Sequence, residues 1–103
     1  MGKYETLLLL SPELADENRQ EILDNLSGII AREKGRMLEV DDWGMRDLAY
    51  PVKKQFRGHY VRLEFLGPGE MVAELERNIR IADGIFKFLT VKLANEEETG
   101  EGE

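Results

Sequence analysis

The chain has 103 residues, 42% of them hydrophobic, which is the length of one domain and enough apolar material for a core without staples. It contains no cysteine, so a disulfide framework, thiolate metal sites and thiol catalysis are all excluded. Its formal charge of −7 argues against a nucleic-acid partner until the charge is mapped along the chain.

Residues 3–10 read as a first strand, with leucines at 7 to 10 leaving both faces apolar. That run is too short for a signal sequence or a membrane span. Ser11-Pro12 stops it, because proline cannot donate to a ladder. Asp16 is placed to cap a helix, with Glu17 in its first turn. Ile22, Leu23, Leu26, Ile29 and Ile30 then form one apolar stripe at helical spacing. Gly35, after Arg32 and Lys34, is expected just past the helix end.

Residues 36–43 read as a second strand, Gly44 as a bulge or bend, and residues 48–52 as its continuation. Pro51 puts this strand at a sheet edge. A turn is expected over 54–58 and a third strand over 58–66, with Val61, Leu63 and Phe65 on one face and Tyr60, Arg62 and Glu64 on the other. Gly67-Pro68-Gly69 punctuates before a second helix over 70–81, with Met71, Val72, Leu75 and Ile79 inward. Residues 85–93 form a last strand, apolar on both faces. The order β-α-β-β-α-β predicts an α+β ferredoxin-like sandwich: a four-stranded antiparallel sheet with two helices on one face. Residues 1–94 form the expected domain and 95–103 a disordered acidic tail.

The tail explains the net charge. Its five glutamates carry −5, so residues 1–95, with 16 acids and 14 bases, hold only −2. Between Arg46 and Arg62 five bases (Arg46, Lys53, Lys54, Arg57, Arg62) stand against one acid, Asp47. This is a local +4 patch. It suits phosphate, and it equally suits an edge strand that uses charge to avoid pairing with another sheet. The open sheet face carries leucine on the first and last strands, as a partner site does if the surface is contiguous. Scattered apolar exposure is the plainer alternative.

Catalysis has little to work with. His59 is the only histidine and has no nucleophile or orienting carboxylate spaced near it. Ser11 and Ser27 lack an elbow motif, and Asp41-Asp42 point to opposite faces of a strand. No phosphate loop, metal set or other cofactor motif is present. Arg57-Gly58-His59-Tyr60-Val61 weakly matches the third strand of an RNA-recognition motif, and would make Tyr60 and Arg62 a freestanding single-strand site. The first strand, however, offers leucines where stacking rings would stand. A small enzyme or ligand-binding domain rests on fold analogy alone.

Gly44-Met45-Arg46-Asp47-Leu48-Ala49-Tyr50-Pro51-Val52-Lys53 resembles the signature segment of the bacterial small-subunit ribosomal protein S-six family. Val52 departs mildly from the usual isoleucine. Lys3-Tyr4-Glu5 resembles the opening strand of that family, and residues 75–92, with Arg80-Ile81-Ala82-Asp83-Gly84-Ile85, resemble its helix-turn-strand end. The resemblance covers residues 3–93 and implies the fold derived above. It implies a cytoplasmic, non-enzymatic constituent of the small ribosomal subunit, with a role in ribosome assembly and translation. The implied partners are the central domain of the small-subunit ribosomal RNA and ribosomal protein S-eighteen, bound as a heterodimer, with no membrane and no small-molecule substrate. Arg46 and Lys53 then become RNA or partner contacts, with Lys3, Arg80, Lys87 and Lys92 as further RNA-binding candidates. Leu7, Leu9, Tyr60, Arg62, Leu89 and Val91 make up the expected partner face, and Tyr50 anchors the bend. In some members the acidic tail receives extra glutamates.

Overall fold

A computed structural model of the chain describes residues 1–95. The elements are β1 (Gly2–Leu10), α1 (Asp16–Arg32), β2 (Arg36–Val52), β3 (Gln55–Gly67), α2 (Gly69–Ile81) and β4 (Ile85–Asn95). The strands form one antiparallel sheet in the order β2-β3-β1-β4, so β2 and β4 are its edges. This is the expected ferredoxin-like arrangement. The expected tail lies outside the described residues from Glu96 onward, and β4 extends two residues beyond the expected Leu93.

The core forms where the period-2 faces of the strands meet the helical stripes. Leu8 and Leu10 of β1 and Val61, Leu63 and Phe65 of β3 pack against Leu23, Leu26, Ile29 and Ile30 of α1 and Met71, Leu75 and Ile79 of α2. Thr6 is fully buried on this face, and its hydroxyl pairs with that of Thr90 across the strands at 2.7 Å. The polar pair is therefore satisfied rather than stranded in the core.

The helix termini differ from expectation by one residue each. Ala15 holds the N-cap position of α1 with no side-chain hydrogen bond, and Asp16 is the first helical residue, bonded to Arg19. At the other end the left-handed residue is Lys34, with φ of 72°, not Gly35. Lys34 N–H bonds the carbonyl of Ala31 and Gly35 N–H that of Ile30, the two bonds of a Schellman ending.

The β2–β3 hairpin departs further. The reversal lies at Lys53-Lys54, with φ of 52° and 65°, and Val52 pairs directly with Gln55. A loop over 54–58 was expected, but β3 begins at Gln55 and the hairpin is longer and tighter. Two positive φ values match a type I′ reversal, whose twist suits a two-residue hairpin. Lysine adopts this backbone at a cost, because its Cβ crowds the carbonyl. Gly44, with φ of +83°, sits where the register shifts between Asp42 and Gly44, as the bulge reading required. A second shift follows: residues 48–51 of β2 face Phe56 alone on β3.

Candidate nucleic-acid and partner interface

The face away from the helices is a grid set by register. Gly44, Tyr60, Leu9 and Lys87 form one row across the sheet; Asp41, Arg62, Leu7 and Leu89 form the next; Glu39, Glu64, Glu5 and Val91 form the third. The rows run from the hairpin end of the sheet towards the start of β1.

The third row and part of the second are a charge network. Arg62 donates from Nε to Glu5 at 2.7 Å and from Nη2 to Glu64 at 2.7 Å, with Glu39 3.6 Å away. Lys3 Nζ lies 3.0 Å from Glu64. The hydrogen bonds from Arg62, then Lys3, hold the Glu64 carboxyl below its ordinary value against its partial burial. Bonds to Glu64 and Glu5 raise the Arg62 guanidinium. Arg62 and Lys3 are thus engaged by carboxylates.

The apolar part is uneven. Leu89 is 63% exposed and Val91 39%, and Leu7 is half-buried beside them. Leu9 is only 3% exposed, contrary to its expected place on the contact surface. The unpaired residues 48–51 fold over it: Leu9, Leu48, Ala49, Tyr50, Val52, Tyr60 and Lys87 line one space of about 150 Å³. Gly58 permits this, because a Cβ there would strike the Leu9 side chain. An adjoining groove of about 160 Å³ is lined by Leu7, Leu9, Tyr60, Lys87, Phe88 and Leu89.

The six basic candidates do not form one patch. Arg46 and Lys53 are exposed on the hairpin, joined there by Lys54, which the residue-by-residue reading did not single out. No carboxylate among the described residues lies within 4 Å of any of these three; Arg46 Nε donates instead to the Trp43 carbonyl at 3.1 Å. Lys87 is taken up by Tyr50. Arg80 lies over the Phe88 ring at 5.3 Å and near Glu76 at 3.5 Å, on the helix side of the sheet. Lys92 pairs with Tyr4 in the ladder and shares that side. Arg57 is paired with Asp47 at 3.1 Å. The hairpin also carries Trp43, whose ring is tilted against Tyr60 with centroids 6.4 Å apart. Its indole N–H donates to Asp41 at 3.0 Å.

On the opposite side of the bulge the buried His59 bonds Asp42, which also accepts from Gly44 N–H at 2.9 Å. Burial pushes the Asp42 carboxyl up, but the bonds from His59 and Gly44, with the charges of His59 and Arg19, outweigh it and leave it lowered. A carboxyl lowered by folding stabilises above its unfolded value and loses that contribution as pH falls through the folded one. Asp42→Asn should therefore cost stability at neutral pH, and the deficit should shrink as pH falls below about 4. Urea titrations at pH 3 to 7 check this; a deficit independent of pH would contradict it.

Among the described residues no cluster of His, Asp or Glu could hold a metal, and no helix is long and apolar enough to cross a membrane. The described residues thus form a split β-α-β sheet with an open face that is part apolar and part ionic, and with a cationic hairpin at one edge. Comparison with known proteins gives the particular case. The family model described as Ribosomal protein S6 matches residues 3–92. The chain is 67% identical over 95 residues to the small ribosomal subunit protein bS6 of Nitratidesulfovibrio vulgaris, covering 92% of this chain and 94% of that one. It is 68% identical over 96 residues to the protein of the same name in Desulfovibrio desulfuricans, covering 93% and 94%. The crystal structure of 30S ribosomal protein S6 from Thermotoga maritima superposes with a TM-score of 0.87 at 27% identity, covering 98% of this chain and 95% of that one. The chain belongs to the ribosomal protein S6 family. It is a structural constituent of the small subunit of the cytoplasmic ribosome and not an enzyme.

Proposed function

We propose that this chain holds small-subunit ribosomal RNA, in its central domain, with the β2–β3 hairpin, and ribosomal protein S-eighteen with the open sheet face. The observation that carries this reading is the separation of charge. Arg46, Lys53 and Lys54 are all exposed on the hairpin, and none has a carboxylate partner among the described residues. The two helices instead carry seven acids (Asp16, Glu17, Glu21, Asp24, Glu70, Glu74 and Glu76) against four arginines (Arg19, Arg32, Arg77 and Arg80), a balance of −3. A polyanion approaching the hairpin meets unpaired cations, and one approaching the helices meets a mixed surface of net negative charge. Lys3, Arg80, Lys87 and Lys92 are secondary in this reading, because three of them have partners and two lie on the helix side.

The open face suits a protein and not RNA. Leu7, Leu89 and Val91 give it apolar area, and Glu5, Glu39 and Glu64 outnumber Arg62 and Lys3 beside them. Those carboxylates repel phosphate and attract a basic protein surface. Residues 1–94 are the binding unit in this reading.

Leu89→Asp tests the partner face. The residue is 63% exposed, so the variant should melt within a few degrees of the parent. Its affinity for purified ribosomal protein S-eighteen should fall by about tenfold or more, since a buried charge at an interface core goes unpaired. Unchanged affinity by calorimetry would place the partner elsewhere.

A further inference from the structure

Phe56 is a large apolar ring left in water on the cationic hairpin, 66% exposed. The other rings on β2 and β3 each have a partner. Trp43 lies against Tyr60, Tyr50 under the Lys87 ammonium, and Phe65 against Tyr4. Among the described residues no other ring stacks on Phe56 and no cation lies over it. In an antiparallel hairpin an aromatic side chain is ordinarily covered by its cross-strand neighbours. Here the ladder breaks between Asp47 and Val52. Leu48, Ala49 and Tyr50 fold over Leu9 instead and leave Phe56 open.

The surroundings of the ring decide what can cover it. Phe56 follows directly on the turn that carries Lys53 and Lys54, and the Val52–Gln55 pair fixes the backbone there. The only acid within residues 46–57 is Asp47, and Arg57 holds it at 3.1 Å. Glu13 reaches the hairpin at Gln55, which points to the other face of the strand from Phe56. A basic protein surface therefore finds no unengaged carboxylate on the hairpin, whereas a polyanion finds cations beside the ring. RNA carries both groups that this arrangement suits. Its phosphates take the lysines, and a base has a flat face that stacks on an aromatic ring. A base inside a duplex is already stacked on its neighbours, so an unpaired base is the one available to Phe56.

We propose that Phe56 stacks on an unpaired base of the RNA held by Arg46, Lys53 and Lys54, so that the hairpin selects RNA with an exposed nucleotide over continuous duplex; this rests on the function proposed above. The cations bind the backbone of any RNA, and the ring supplies the preference.

The test measures affinity for two probes, small-subunit ribosomal RNA and a fully paired RNA duplex, with ribosomal protein S-eighteen present throughout. The parent is compared with Phe56→Ala, Phe56→Leu and Phe56→Tyr. Stacking predicts that Phe56→Ala and Phe56→Leu each weaken binding of the ribosomal RNA by about five- to a hundredfold, the size of one lost base–aromatic stack. Phe56→Tyr keeps the ring and should bind as the parent does. The salt dependence should keep its parental slope in all three, because no phosphate contact is lost. Affinity for the duplex, and for ribosomal protein S-eighteen without RNA, should not change. If Phe56→Leu binds the ribosomal RNA as well as the parent, Phe56 is plain apolar surface and stacking is overturned. An equal loss on the duplex, or a loss of affinity for ribosomal protein S-eighteen, overturns it too, by making Phe56 a backbone or a protein contact. Parental affinity in all three variants overturns stacking alone if Arg46→Ala, Lys53→Ala and Lys54→Ala together still weaken binding. If that triple variant also binds as the parent does, the RNA-binding role of the hairpin falls with it.

Discussion

A variant carrying Arg46→Ala, Lys53→Ala and Lys54→Ala should fold as the parent does and bind small-subunit ribosomal RNA roughly a hundredfold more weakly in about 0.1 M salt. Each cation that neutralises a phosphate releases a counterion, so the loss of three contacts should make the dependence of log affinity on log salt shallower by about 2–3. The three side chains are exposed and have no carboxylate partner among the described residues, so their removal breaks no ion pair. Removing Lys53 and Lys54 leaves the left-handed backbone in place, since alanine meets the same crowding at positive φ. An Asn-Gly pair at the two positions is therefore the sharper companion variant. It should stabilise the hairpin, which favours that dipeptide, while still losing the two cations. Affinity and stability would then move in opposite directions. A triple variant whose affinity and salt slope match those of the parent would remove the hairpin from the RNA interface.

Phe65→Ala should cost about 3–5 kcal/mol, the usual cost of truncating a fully buried aromatic ring. Phe65 is 0% exposed, is the largest of the fully buried side chains, and stacks on Tyr4 with ring centroids 6.0 Å apart. It sits on β3 between the two helices' contributions to the core, so the cavity cannot be filled from the surface. For a domain of this length such a loss corresponds to a fall in melting temperature of about 12 °C or more. Phe56→Ala is the control. Phe56 is 66% exposed on the hairpin and should change stability by about 0.5 kcal/mol or less. Thermal unfolding of both variants separates the core from the hairpin; a mild effect at Phe65 would mean that the two layers are not packed as described.

The architecture was legible because it depends on patterns that a single stretch of chain displays. Val61, Leu63 and Phe65 alternate, and Leu23, Leu26, Ile29 and Ile30 recur at helical spacing; each set lies in the core as read. Pro51 at an edge strand and Gly44 at a bulge follow from what those two residues cannot and can do on the backbone. The errors fall where two alternatives differ by little. Asp16 serves α1 equally well as a cap or in the first turn, and Lys34 rather than Gly35 takes the left-handed position. The Lys53-Lys54 reversal carries no local signal because neither residue favours positive φ, and the glycine that suggests a turn, Gly58, lies inside β3.

The candidate site was less legible, for a different reason. Which charges meet depends on register between distant strands, and register is not written in any one of them. Arg62 and Glu5 are 57 positions apart, and only the β1–β3 pairing makes Arg62 a member of an ionic network. Lys87 and Tyr50 are 37 apart and belong to strands at opposite edges of the sheet. Leu9 lies on the open face by register, but its cover comes from a segment with no periodic pattern. Arg46 and Lys53 are candidates because the signature segment names them by local sequence, and Lys54 enters the sequence reading only as a count of charge.

The most direct test of the account titrates purified chain into small-subunit ribosomal RNA at two salt concentrations, with and without ribosomal protein S-eighteen. The account predicts binding that is much tighter with the partner present and that weakens steeply as salt rises. Tight binding that needs no partner, or binding indifferent to salt, would contradict it.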